Sequence, residues 1–290
     1  KSTDKGMNWI SIGDELVLGG IGSIKVDPTN ASTVYLAQGR YLYKSTNGGS
    51  NWTEILNIWN LNIRDIHINT SDPNIVLLAS PLGLYRSANG GGSFTQILTD
   101  GCYDVETKPD DPSVYYIAKE NTSLNLTEVW MATDWGVSFT PKTSGWFVPT
   151  NGTAASNGGA RLAVTPADPD YLYCALLGSD VSYQQDNNWV GVYKSTNAGE
   201  SWLLPAGEAG GPYDSDHWCL SSFHPTFAWG GNYDQGFYNL GIAVSHTDPE
   251  SFLIGCLNLF KSENGGETYE QWGGYGGGPG LIPAPLLRQG

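Results

Sequence analysis

Ser195-Thr-Asn-Ala-Gly-Glu-Ser-Trp202 is one of six copies of a single eight-residue pattern, and their spacing decides the fold. The others begin at Ser2, Ser45, Ser87, Ala132 and Ser262 and close on Trp9, Trp52, Phe94, Phe139 and Tyr269. The consensus is Ser-x-Asp/Asn-x-Gly-x-x-aromatic, with first positions separated by 43, 42, 45, 63 and 67 residues. A repeat of this size predicts a repeat architecture. Asp or Asn at the third position (Asp4, Asn47, Asn89, Asp134, Asn197, Asn264) can bind nearby backbone N–H groups. Glycine at the fifth (Gly6, Gly49, Gly91, Gly136, Gly199, Gly266) permits a positive φ. The closing aromatic is expected to pack over the turn. These residues are therefore read as structural.

An Asp-Pro pair precedes each copy after the first, at Asp27, Asp72, Asp111, Asp168 and Asp248. Each lies between short β-branched and aromatic runs such as Ser23–Val26 and Thr33–Ala37, which read as strands joined by a turn. Tyr41–Lys44 and Trp52–Leu56 supply a third and a fourth strand around the octapeptide. Four antiparallel strands in about 42 residues make one propeller blade. The fold class is all-β: a β-propeller of four-stranded antiparallel blades. Residues 1–290 are expected to form one propeller domain of about six blade units, the first incomplete, as part of a larger propeller.

The pattern resembles the Asp-box, or bacterial neuraminidase repeat, family of β-propellers. Within it the chain looks most similar to large secreted proteins of Bacteroidota that use type IX-like secretion. The stretch Gly236–Pro249 running on to Asn258–Lys261 carries that likeness. Sortilin-type and xyloglucanase-type repeats are more distant. The chain departs from the pattern at Ala132 and at the four Asn that replace Asp. The resemblance implies a secreted or cell-surface protein. It does not imply a sialidase: only five Arg are present (Arg40, Arg64, Arg86, Arg161, Arg288), Arg86 holds a position that is Lys before other copies, and the Phe/Tyr-Arg-Ile-Pro motif is absent.

Composition narrows the function classes. Charged residues are 15% of the chain, with 38 Gly, 11 Trp and 16 Tyr, which suits a turn-rich all-β domain. A formal net charge of −15 argues against nucleic acid and anionic membranes as partners. No apolar run is long enough to insert in a bilayer. Cys102, Cys174, Cys219 and Cys256 show no zinc spacing, and leave buried thiols and one disulfide as open alternatives, with Cys102 and Cys219 near loop-like sequence. Sequons at Asn30, Asn51, Asn69, Asn121, Asn125 and Asn151 would be exposed glycosylation sites in a glycosylating host.

The last two inter-repeat intervals are longer than a blade needs, and long loops are where function concentrates. The insertions are Thr140–Arg161, a shorter excursion at Ser179–Trp189, and Pro205–Asn239. Binding is expected through Trp146, Tyr213, Trp218, Trp229 and Tyr233. Three readings of the last insertion stand beside one another. Asp214, Asp216 and Asp234 could serve as the carboxylates of a glycoside hydrolase. Asp214 and Asp216 could hold Ca²⁺. Or the aromatics simply cover the propeller. No other cofactor is expected, and no triad, nucleophile elbow or phosphate loop is present. The reading adopted is a non-enzymatic binding or adhesion scaffold whose partner is a protein or glycan, together with remaining blades or neighbouring domains of the same protein. A polysaccharide hydrolase of xyloglucanase type is the alternative.

Overall fold

A computed structural model describes residues 1–13, 16, 19–124, 126–146, 159–177, 189–206, 240–255 and 258–274. Among these every regular element is a strand. The first sheet is β1 (Ile21–Asp27), β2 (Asn30–Gln38), β3 (Tyr41–Ser45) and β4 (Thr53–Asn57). The second is β5 (Asp65–Ile68), β6 (Val76–Ser80), β7 (Gly83–Ser87) and β8 (Thr95–Leu98). The third is β9 (Cys102–Lys108), β10 (Asp111–Asn121), β11 (Leu126–Thr133) and β12 (Ser138–Pro141). The fourth is β13 (Gly159–Val164), β14 (Leu172–Leu177) and β15 (Trp189–Ser195), with an isolated Lys194–Leu203 bridge where a fourth strand would pair. The fifth is β16 (Gly241–Val244), β17 (Phe252–Gly255), β18 (Asn258–Ser262) and β19 (Glu270–Gly274).

In every sheet, neighbours in sequence are neighbours in space, so each is an up-and-down meander, and the fold is the β-propeller expected. The chain divides into two compact units, Lys1–Val105 and Glu106–Gly290. In the first, Tyr35, Ala37 and Leu42 of one blade pack with Ile66, Val76 and Leu78 of the next, Leu61 and Ile63 of the intervening link filling the layer. In the second, Tyr173, Ala175 and Val192 meet Phe252, Ile254 and Phe260 in the same manner. Each fully buried side chain of this kind stabilises its unit by roughly 1.5–3 kcal/mol. The blades therefore cohere through their broad faces, and the edges carry the turns.

The octapeptide turns do what their residues require. In five of six, the Ser hydroxyl donates to the Asp or Asn Oδ1 two residues on, at 2.8–3.1 Å, and accepts the glycine N–H at 2.8–2.9 Å. The same Oδ1 accepts the N–H four residues later, as from Ser93 to Asn89 at 2.9 Å. All six glycines have φ between 83° and 95°, a region open to Gly at little steric cost. The fourth copy differs. Ala132 has no hydroxyl, so Gly136 and Val137 donate instead to the Thr133 carbonyl. Asp134 and Trp135 take φ of 53° and 61°, the hairpin tightens, and Phe139 falls inside β12 rather than at the end of a turn. This predicts that Ser87→Ala, which leaves the buried Gly91 N–H without its acceptor, lowers stability by about 1–2 kcal/mol in denaturant titration.

The Asp-Pro pairs are Asx turns: the aspartate Oδ1 accepts the N–H two residues on in all five. In the third repeat the reversal itself is displaced to Pro109–Asp110, and Asp111-Pro112 opens β10, because Pro109 offers the preset φ one step earlier. A further stitch joins blades within a unit. Tyr35 and Lys44 face each other across β2 and β3, and both donate to the Gly90 carbonyl in the next blade's turn, at 2.9 and 2.7 Å. Tyr173 and Lys194 hold the same register in the second unit, reaching the Pro249 carbonyl and the Glu250 carboxylate.

His67 is buried on β5, and desolvation, aided by the Lys25 charge, lowers its pKa from 6.5 to about 3. The unfolded chain therefore takes up a proton that the folded one refuses. The stability this withholds is fully present above pH 6.5 and is lost as pH falls towards 3, by about 1.4 kcal/mol per unit. Urea titrations across that window should show a steeper fall for the native protein than for His67→Gln.

Candidate functional site

The first unit carries a cleft of about 340 Å³. It lies where the β2–β3 turn meets the link from β4 to β5, which an antiparallel meander brings to one end of the blades. The link is written as an alternation. Leu61 and Ile63 are buried in the core, while Trp59 and Asn60 before them and Asn62 between them are exposed. Asn60 and Asn62 take φ of 60° and 45°, conformations that Asn tolerates better than most residues. Two backbone bonds fasten the link to the turn: Ile63 N–H donates to the Gly39 carbonyl at 2.9 Å and Ile58 N–H to the Arg40 carbonyl at 3.3 Å. Gly22 of β1 lets the link approach, since a Cβ there would stand 2.3 Å from the Ile63 carbonyl oxygen.

This frame holds a set of groups suited to ligand contact. Trp59 is 73% exposed, an uncommon state for the largest apolar side chain. The Arg40 guanidinium lies 4.9 Å from the centre of its ring and 4.8 Å from that of Tyr41, with Nη2 donating to the Tyr41 hydroxyl at 2.7 Å. Gln38 forms part of the wall. Its Nε2 donates to the Gly19 carbonyl at 3.1 Å, while its buried Oε1 accepts nothing among the described residues. An aromatic plane, a fixed cation and neighbouring amides are groups able to contact a ligand. No carboxylate pair and no histidine stands among the cleft residues.

Of the residues expected from sequence, Tyr213, Asp214, Asp216, Trp218, Trp229, Tyr233 and Asp234 lie outside the described residues, as do Cys219, Cys256, Asn125 and Asn151. Trp146 is described and is buried: its indole N–H donates to the Thr127 carbonyl at 2.8 Å, and its ring meets Tyr193 and Trp202 at 4.6 and 5.0 Å. Its observed place is in the packing, not on a binding surface. The first insertion is also shorter than expected, since Thr140 and Arg161 belong to β12 and β13. Cys102 is buried at the start of β9, directly after the link from β8, and Cys174 is buried in β14. Asn69 corrects the sequon reading: it is fully buried, its Oδ1 accepting the N–H groups of Ser71 and Asp72. Asn30 and Asn51 are exposed, and Asn121 is half-buried with Nδ2 on Glu128. Among the described residues no group of three or more His, Cys, Asp or Glu could hold a metal ion.

The Arg40–Trp59 site escaped sequence reading because the link is short and its Trp falls outside the octapeptide. A further tryptophan soon after the octapeptide's own closing Trp52 was the available signal.

No family model and no curated protein matches the chain. Solved structures share its fold. A GH74 enzyme from Niastella koreensis aligns at 20% identity over 88% of this chain and 38% of its own, with a TM-score of 0.59. A GH74 xyloglucanase from Xanthomonas campestris aligns at 18% over 87% and 38%, with a TM-score of 0.58. An auxiliary nutrient binding protein from Bacteroides thetaiotaomicron aligns at 12% over 89% and 59%, with a TM-score of 0.57. The chain thus spans under two-fifths of the length of the two GH74 structures. At these identities the likeness establishes the propeller fold.

Proposed function

We propose that the chain is a secreted or cell-surface binding scaffold built of Asp-box repeats, and that it recognises a glycan through loops at one end of its blades. The observation that supports this most is the Trp59 ring, 73% exposed beside Arg40 and two outward-facing asparagines on a link anchored by buried Leu61 and Ile63. A rigid aromatic plane offers its face to the apolar side of a sugar ring, and neighbouring amides complement hydroxyls. The sequence insertions expected at 140–161 and 205–239 belong to the same proposal as further contacts. So do remaining blades or domains of the same protein as partners, and Ca²⁺ at Asp214 and Asp216.

The test is a glycan microarray probed with the full chain, run beside an assay for reducing ends released from plant and bacterial polysaccharides. Retention of a defined glycan set without release is the expected result. Release that disappears in Asp214→Ala or Asp234→Ala would establish the hydrolase alternative instead.

A further inference from the structure

The cleft also carries a charge that stacking on a neutral sugar does not require. The protein has 29 acidic side chains against 14 Lys and Arg. Several cations near turns are paired with carboxylates, Lys108 with Asp110 and Asp170, Lys142 with Glu200 and Lys194 with Glu250, while Lys44 is met by the Gly90 carbonyl. Arg40 has no such partner among the described residues. Its one hydrogen bond is to the Tyr41 hydroxyl, and that bond, with the two flanking rings, holds the guanidinium in place. Most of its N–H donors remain unused, and they form the planar fork that matches a carboxylate.

We propose that the cleft takes a uronic-acid unit of a carboxylated glycan, with Arg40 gripping the carboxylate and Trp59 stacking on the sugar ring. This rests on reading the cleft as a glycan site. The site thus calls for an acid carried on a flat, apolar-faced ring. An acidic peptide would satisfy Arg40 but would leave the exposed Trp59 face unmatched. The volume of about 340 Å³ admits one or two sugar units, at the small end of ligand pockets.

The experiment is calorimetric titration of the full chain with tri-galacturonate, with its carboxyl-reduced neutral counterpart, and with tri-glutamate. Tri-galacturonate should bind at least tenfold more tightly than either, and more weakly as salt rises. Arg40→Gln should bring its affinity down to that of the neutral sugar. Arg40→Lys, which keeps charge but not the fork, should fall between, and unchanged melting temperatures would show both variants folded. Equal binding of charged and neutral sugars, unaffected by Arg40→Gln, would overturn the uronate assignment while the glycan reading stands. Equal binding of tri-glutamate would overturn it in favour of an acidic peptide. Binding of no probe would overturn the assignment, and a blank glycan microarray would then remove the broader reading as well.

Discussion

Trp59→Ala should weaken retention of the bound glycan by roughly 30-fold or more, the scale of a binding hot spot of about 2 kcal/mol. Its melting temperature should stay within about 2 °C of the parent. The two outcomes separate because the ring contributes little to the folded core: it is 73% exposed, and the link beneath it is held by Leu61, Ile63 and backbone bonds to Gly39 and Arg40. Affinity electrophoresis and a thermal melt on the same preparation check both. Unchanged retention would mean that the exposed indole has no part in recognition. A fall in both would mean that it is part of the fold.

Gly22→Ala should have the largest effect on stability of any single-methyl addition near the site. The new Cβ would stand 2.3 Å from the Ile63 carbonyl oxygen, a backbone atom of a residue whose side chain is buried in the core, so it cannot move aside cheaply. A loss of about 2–3 kcal/mol, or roughly 4–10 °C in melting temperature, is expected. Gly20→Ala is the matched control: two residues away, its Cβ would meet nothing within 4 Å. Because the Ile63 N–H also ties the link to Gly39, Gly22→Ala should weaken glycan binding too. Equal melting temperatures for the two variants would contradict the close approach of β1 to the link.

How much of this was legible beforehand follows from where each feature's information lies. The strands and turns were legible because their chemistry is local: Ser87, Asn89 and Gly91 make their turn among themselves. The departure at Ala132 was visible as a substitution. Its consequence, a tightened hairpin with Phe139 in the strand, depends on which carbonyl replaces the missing hydroxyl, and only coordinates display that choice. Asn69 reads as an exposed sequon, yet its side chain is consumed by the turn it initiates. Trp146 reads as a loop aromatic, yet Tyr193 and Trp202, distant in sequence, bury it.

The cleft was the least legible part. Gly39 and Ile63 are far apart in the chain, and neither marks itself as the other's partner. Arg40 stands beside Trp59 only because β3 and β4 fold the chain back between them. Long insertions drew attention by their length, whereas this site occupies a short link whose alternation of buried and exposed residues carries its meaning.

The most direct test of the central claim is an amide and indole NMR titration of the chain with the oligosaccharide that the glycan microarray retains best. The Trp59 Nε1–H and the side-chain amides of Gln38, Asn60 and Asn62 should shift together and saturate at one affinity. Shifts confined to residues 140–161 and 205–239, with those four signals unmoved, would contradict it and place recognition in the long insertions.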